Sequence, residues 1–279
     1  MVTADDFGLA LEVNDAVEMA HINGILTAAS LMVGAPATAD AVARARRLPG
    51  LKVGLHLALV ESRPVLPPAQ VPALVDADGR FRDGMLGPAI RIFFDPAARR
   101  QLAAEIEAQF QAYAATGLPL DHVDSHKHFH LHPTVGALVI DIGRKFGMKA
   151  LRVPIEPSAI LNSIEKQSRS LDVVVAGRQA MGLQKKARRH HLMAADRVFG
   201  LAWSGAMTEA RVAALLEQLP DGVTELYTHP ATAGLFAGAA PGYRYADELA
   251  ALTSPRVVAV AKRGDIRLIG YSDLAAEAA

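Results

Sequence analysis

The chain has 279 residues, of which 51% are hydrophobic and none is cysteine. This length allows one α/β barrel or two smaller domains, and the lack of cysteine excludes disulfides and thiolate metal sites. A formal net charge of zero argues against nucleic acid as a partner, because phosphate binding needs an excess of Lys and Arg. With neither a membrane-length apolar run nor a secretory signal pattern, a cytoplasmic enzyme is expected.

Apolar runs alternate with helical patterns along the chain. In chain order the patterns predict a helix over residues 12–24, a strand over 51–57, a helix over 97–115, a strand over 120–124, a helix over 135–146, strands over 150–153 and 171–175, a helix over 209–218, and strands over 224–228, 257–261 and 267–271. The alternation predicts an α/β fold, with a single TIM-like (β/α) barrel over residues 1–279. This prediction allows for a distorted barrel or one with fewer than eight strands. An open doubly wound sheet is the alternative, although no glycine-rich phosphate loop follows the first strand.

A Pro-containing insertion at about residues 61–88 follows the strand that carries His56. Within it, residues 74–81 predict a small hairpin that turns at Asp78-Gly79. Long insertions after barrel strands usually shape the mouth of the active site.

Polar residues stand at the ends of several predicted strands. Because the carboxyl ends of barrel strands open onto one face, these side chains are expected to converge, and imidazoles with carboxylates are suitable ligands for a divalent metal. The candidates are Asp5, Asp6, His56, Asp124, His126, Arg152 and His229.

Simpler interpretations exist for several candidates. Asp5 and Asp6 are also suited to cap the following helix, and a lone His56 is typical of a core histidine. Histidines alternate at positions 126, 128, 130 and 132, and side chains spread over seven residues cannot all bind one ion. We expect His126 to bind, His128 and His130 to support the site or the substrate, and position 132 to be a loop residue. Arg152 suits either the site or a surface ion pair.

The segments 4–8, 54–57 and 124–130 and the His229-Pro230 pair resemble the YdjC/ChbG carbohydrate deacetylases. Residues 66–68, 75–81 and 126–133 are most similar to the HpnK branch, which is associated with hopanoid biosynthesis. The resemblance implies removal of the acetyl group from an N-acetylglucosaminyl hopanoid. Alternatives are a chitooligosaccharide deacetylase and another barrel metal hydrolase, a phosphodiesterase or an amidohydrolase. Relatives carry apolar residues before the Ala-Asp-Asp motif, so the first strand here is either short or begins before Met1.

The resemblance implies that Asp6, His56 and His126 bind one divalent ion. Two imidazoles favour Zn²⁺, whereas family descriptions often give Mg²⁺. Asp5, next to a ligand, is the predicted general base, and His229 is the predicted acid because histidine titrates near neutral pH. Asp124, His128, His130 and Arg152 are expected to support the ligands or to contact the substrate.

Two further segments bear on the substrate. Residues 178–191 are rich in Lys, Arg and His, and residues 90–94 are apolar. These patterns are typical of a solvated helix face and a packed core segment. The alternative is a basic, apolar rim that touches anionic membrane, which would make the protein peripheral to the inner membrane and its sugar substrate lipid-linked.

Overall fold

The computed structural model describes residues 1–166 and 171–277, and within these ranges six parallel strands form one curled sheet. In space the strands follow the order β4-β3-β2-β1-β6-β5. Their bounds are β1 (Val2–Phe7), β2 (Ala28–Leu31), β3 (Lys52–Leu57), β4 (Val123–Ser125), β5 (Arg197–Phe199) and β6 (Thr224–Thr228).

Helices follow or separate the strands. They are α1 (Leu11–Asn23), α2 (Thr38–Arg47), α3 (Leu86–Phe94), α4 (Pro96–Ala115), α5 (Pro133–Gly143), α6 (Ser158–Ile164), α7 (Leu171–Arg189), α8 (Glu209–Glu217), α9 (Tyr245–Thr253), α10 (Pro255–Ala261) and α11 (Tyr271–Glu277). None of the described helices is both long and apolar enough to cross a membrane.

Residues 150–155 connect the two edges of the sheet. Leu151 forms a parallel bridge with Val123 of β4, and Ala150 forms one with Met193. Farther along, the backbone N–H of Val198 in β5 donates to the carbonyl of Ile155. The structure confirms the prediction of a TIM-like α/β fold, distorted and with fewer than eight regular strands.

The strands are covered on both faces, as expected for a parallel sheet. All six residues of β1 and all five of β6 are buried. Local signals set several helix starts: Asp95 accepts a hydrogen bond from the N–H of Ala97 at the start of α4, and Ser254 does the same for Arg256 at α10. In both helices Pro occupies the first position, where its missing N–H costs nothing.

Three predicted strands are wrong. Residues 171–175 begin helix α7, and residues 257–261 lie in α10. Residues 267–270 have no regular structure, and α11 begins at Tyr271. Short apolar runs do not distinguish a strand from one face of a helix. Strands β2 and β5, of four and three residues, were not predicted.

The insertion after β3 is held against α4 by two polar side chains of that helix, the buried Glu105 and the partly exposed Gln101. Glu105 accepts the N–H groups of Val65 and Leu66, and Gln101 accepts that of Ala73. The predicted hairpin is confirmed by the antiparallel bridge between Val75 and Phe81.

Candidate metal centre

Three predicted ligands lie together at the carboxyl ends of the strands. Asp6 Oδ1 is 3.3 Å from His56 Nε2 and 3.1 Å from His126 Nδ1. One donor atom from each of the three residues lies within 4.8 Å of the other two. Asp6 and His56 are buried, whereas His126 is partly exposed. The cluster therefore lies beneath the surface with one side open to solvent.

An irregularity in β1 brings both aspartates to this site. Successive side chains of a regular strand point to opposite faces. Between Ala4 and Phe7 the register against β2 shifts by one residue, and Asp6 has a left-handed φ of 62°. This bulge turns Asp6 back, so that it contacts His56 while the neighbouring Asp5 contacts Arg152.

Asp124 fixes the orientation of His56. The Nδ1–H of His56 donates to Asp124 Oδ1 at 2.8 Å, because an ionised carboxylate only accepts. The other ring nitrogen, Nε2, is buried and has no hydrogen-bond partner. A carboxylate that holds one nitrogen while the other is directed at the cluster is the usual support for a metal-binding histidine.

The donor atoms fit a divalent ion. Ligands bound at about 2.0–2.2 Å lie roughly 3.0–3.5 Å from one another in tetrahedral or octahedral geometry, which agrees with the separations from Asp6 Oδ1. Burial disfavours the charged carboxylate, but His126 and His56 outweigh it and hold the pKa of Asp6 well below its usual range. Burial opposes a charge on His56 as well, yet Asp124 and Asp6 raise its pKa well above the ordinary value. Asp6 is therefore a carboxylate, as a metal ligand must be, and the carboxylates around His56 favour positive charge at its ring.

A buried arginine joins three carboxyl groups behind the ligands. Arg152 Nη1 lies 2.7 Å from Asp5 Oδ2 and 2.5 Å from Asp124 Oδ2, and Nη2 lies 2.9 Å from Glu225 Oε1. Burial opposes the guanidinium charge, but these carboxylates raise the pKa of Arg152 further above its usual range. Arg152 is fully buried, so the alternative of a surface ion pair is wrong. Three carboxyl groups contact this guanidinium, and Asp6 adds a fourth carboxyl group to the site through its contact with His56, which leaves excess negative charge for a cation.

Asp5 and His229 extend from neighbouring strands. In the sheet Ala4 pairs with Thr228, so the next residues along β1 and β6 are Asp5 and His229. Asp5 Oδ1 is buried and has no hydrogen-bond partner, and the same holds for Nδ1 of His229. The backbone N–H of His229 donates to the buried carboxylate of Glu248. Asp5 thus keeps one oxygen, and His229 one nitrogen, to contact another molecule.

The four alternating histidines diverge, because Lys127 and His128 both have left-handed φ angles of 53°. His128 Nε2 contacts the hydroxyl of Tyr227 at 3.0 Å. His130 lies between the Ser125 hydroxyl and the carbonyl of Arg152, at 2.6 and 2.9 Å. At the end of the run, the ring of His132 stacks on that of Phe129. Of these histidines, only His126 belongs to the three-residue cluster.

Several buried polar residues of the site had not been predicted. Ser30 donates to Asp124 Oδ2, and the Tyr271 hydroxyl donates to Glu225 Oε2. His122 Nε2 contacts Ser30 Oγ, while its Nδ1 donates to Asp121. The sequence offers one usable signal, a charged residue at 225 within the apolar run of β6.

Comparison with known proteins adds a family and several relatives. The family described as YdjC-like protein matches residues 1–263. A carbohydrate deacetylase of Geobacillus stearothermophilus is 31% identical, with 98% of this chain and 96% of the relative covered. One from Vibrio vulnificus is 32% identical, with 97% and 94% covered. A crystal structure from Enterococcus faecalis, described as a candidate cellobiose-phosphate cleavage protein, is similar at a TM-score of 0.76 and 25% identity, with 98% and 97% covered.

Proposed function

This chain belongs to the YdjC-like family, and on that premise we propose that it is a metal-dependent deacetylase that hydrolyses the acetamide of an N-acetylated amino sugar. The observation that supports this most directly is the cluster of Asp6, His56 and His126. The names of the relatives agree with it, since several are carbohydrate deacetylases. One divalent ion, Zn²⁺ or Mg²⁺, is the proposed cofactor.

In this proposal Asp6, His56 and His126 hold the ion, and Asp124 orients His56 through its Nδ1–H. A divalent ion held there would supply Lewis acidity, to activate water and to polarise the acetyl carbonyl. Arg152 holds Asp5 through Oδ2 and leaves Oδ1 without a partner. Asp5 therefore accepts the proton of the attacking water as general base.

The leaving amine must gain a proton before the C–N bond breaks. His229 is the proposed donor, because histidine is the most common general acid of enzymes and the neighbouring strands β1 and β6 bring this residue beside Asp5. Glu248 fixes its backbone N–H. The ring of Tyr243 is partly exposed and lies 5.0 Å from the imidazole, where a sugar can pack against it, and the buried ring of Tyr227 lies 5.6 Å away behind the site.

A further part of the proposal is the identity of the acetylated substrate. An N-acetylglucosaminyl hopanoid is supported by the similarity of residues 66–68 and 75–81 to the HpnK branch. A chitooligosaccharide is the alternative, because a soluble sugar presents the same acetamide to the same groups.

Acetate release by metal-stripped protein reloaded with Zn²⁺ or Mg²⁺ tests the proposal. Substrates are N-acetylated chitooligosaccharide and N-acetylglucosaminyl hopanoid, with a phosphodiester and a cyclic amide as competing chemistries. We expect acetate only after reloading, from at least one of the two sugars. Hydrolysis of the phosphodiester or the cyclic amide without acetate release would refute a deacetylase, and metal binding without any turnover would refute an enzyme.

A further inference from the structure

Helix α3 presents four large apolar side chains to solvent. The exposed fractions are 75% for Leu86, 51% for Ile90, 57% for Phe93 and 75% for Phe94. Their spacing of four, seven and eight residues puts them on one face of the helix. Ile92 is buried on the opposite side, so the helix is anchored with its apolar face outward. Exposed apolar patches mark sites at which a protein binds another protein, a membrane or a ligand.

Basic residues flank helix α3 in the sequence. Residues 82–100 contain four arginines and two aspartates, which gives a local excess of positive charge. All four arginines, at positions 82, 91, 99 and 100, are exposed. Of the two aspartates, Asp95 caps helix α4 and lies 3.7 Å from Arg91. An apolar face bordered by arginine is the composition of helices that lie in the membrane interface.

The face lies beside the mouth of the metal centre. The ring of Phe93 is 6.5 Å from the ring of His132, which stacks on Phe129 at 6.4 Å. Phe129 belongs to the turn that carries His126. An ion pair between Glu61 and Lys127 joins the start of the insertion to the same turn. A surface that meets α3 would therefore lie next to the opening of the site.

We propose that the apolar face of α3 docks this protein onto an anionic membrane surface. Phe and Leu side chains insert at the level of the acyl chains, and the flanking arginines contact anionic headgroups. A second copy of the chain is a poorer partner, because a two-fold interface brings each patch against itself and sets arginines near arginines. Docking itself does not depend on the proposed function. The idea that docking presents a lipid-borne sugar to the metal centre does rest on it.

Co-sedimentation of the full chain with vesicles tests the proposal. We expect binding to vesicles of phosphatidylglycerol and phosphatidylcholine, weaker binding to phosphatidylcholine alone, and weaker binding at 0.5 M salt. A Leu86→Ser/Phe94→Ser variant should bind anionic vesicles at least about tenfold more weakly, since two large apolar side chains no longer enter the interface. An Arg99→Gln/Arg100→Gln variant should lose most of the dependence on anionic lipid and on salt.

The matched control is Ile22→Ser. Ile22 is similarly exposed but lies at the end of α1, which returns to the amino end of the sheet. This control should bind vesicles like the unaltered chain. Equal vesicle binding by the Leu86→Ser/Phe94→Ser variant and the unaltered chain would overturn the proposal. It would also be overturned if the unaltered chain bound no vesicles but formed dimers, and if the two substitutions dissociated those dimers. Acetate release from soluble chitooligosaccharide should be unchanged in all variants, so failure of docking and failure of the proposed function remain distinguishable.

Discussion

Asp6 is the residue at which backbone conformation and chemistry are most closely joined. Its φ of 62° lies in the left-handed region, which costs most side chains about 1 kcal/mol but which Asp and Asn adopt readily. Asp6→Asn therefore keeps the bulge and replaces the anionic ligand with a weaker neutral one. Asp5, with an ordinary strand conformation and Arg152 as its partner, can be altered in the same way.

Replacing each aspartate separately tests their proposed roles. Asp6→Asn should lose most of its bound metal, whereas Asp5→Asn should retain the metal and lose about 10²- to 10⁴-fold in turnover, as is typical when a general base is removed. Metal content by elemental analysis and acetate release measure the two effects. The exposed Asp247→Asn serves as control and should change neither. Equal metal loss in the Asp5 and Asp6 variants would contradict the division of roles.

The sequence indicated most of the site because its residues follow strand ends. That rule led to Asp6, His56 and His126, which the fold brings together. It did not indicate Glu225, which lies within β6 and acts through the buried Arg152 rather than at the mouth. Nor could it indicate the left-handed turn at 127–128, because side-chain spacing alone does not reveal a change in φ.

At the scale of elements, the turn at residues 126–131 depends on a neutral histidine. The Nε2–H of His130 donates to the carbonyl of Arg152, so Nδ1 accepts from the Ser125 hydroxyl. The Ser125 oxygen in turn accepts the N–H of His130. Each contact is consistent with one tautomer of the uncharged ring. Burial is the main reason that the pKa of His130 falls from 6.5 to about 4.

This arrangement predicts a pH dependence of stability. The unfolded chain gains a proton on His130 near pH 6.5 and the folded chain only near pH 4, so the stabilisation is complete above pH 6.5 and is lost as pH falls towards 4. His130→Gln cannot titrate. Between pH 6.5 and 5, the free energy of unfolding of the unaltered chain should fall by about 2 kcal/mol more than that of the His130→Gln variant.

Urea denaturation at several pH values measures this difference. His191→Asn is the control, since His191 is exposed and Asn tolerates its left-handed φ of 56°. This variant should follow the pH dependence of the unaltered chain. Parallel curves for His130→Gln and the unaltered chain would show that folding does not lower the pKa of His130.

Strand β3 passes too close to His122 for any side chain at Gly54. A Cβ at this position would lie 2.5 Å from the ring, which Asp121 and Ser30 hold in place. Gly54→Ala should therefore lower the free energy of unfolding by about 1–3 kcal/mol. Gly182→Ala in α7 has no atom within 4 Å of the new Cβ and should gain up to about 1 kcal/mol. Urea denaturation measures the free energy of unfolding of both variants. No change in Gly54→Ala would mean that His122 can move away from the new Cβ.

Two of the errors in predicting elements have a common physical cause. Residues 257–261 are apolar and include three β-branched valines, which favours a strand, yet Ser254 and Pro255 cap them as a helix. Residues 28–31 carry two alanines and a serine, and they form β2 because strands β1 and β3 lie on either side. Long amphipathic segments such as α4 are predicted well, whereas segments of three to seven residues depend on their neighbours.

At the scale of the whole molecule, the curled sheet gathers charges from distant parts of the chain. Asp5 and Asp6 come from β1, Asp124 from β4 and Glu225 from β6, with Arg152 from the segment that connects the edges of the sheet. Bringing these carboxyl groups together opposes folding unless positive charge compensates for them. Arg152 supplies one charge. A divalent ion would therefore stabilise the folded state as well as serve the reaction.

Metal binding should consequently raise the thermal stability of the protein. An ion at about 100 times its Kd adds about 2.7 kcal/mol to the free energy of unfolding. For a chain of this size that corresponds to a rise in Tm on the order of 5 °C. Calorimetry of chelator-treated and reloaded protein should show this rise for the unaltered chain and for Asp247→Asn, and no rise for Asp6→Asn. A rise that persists in Asp6→Asn would mean that the ion binds elsewhere, because only this carboxylate contacts both imidazoles of the cluster among the described residues.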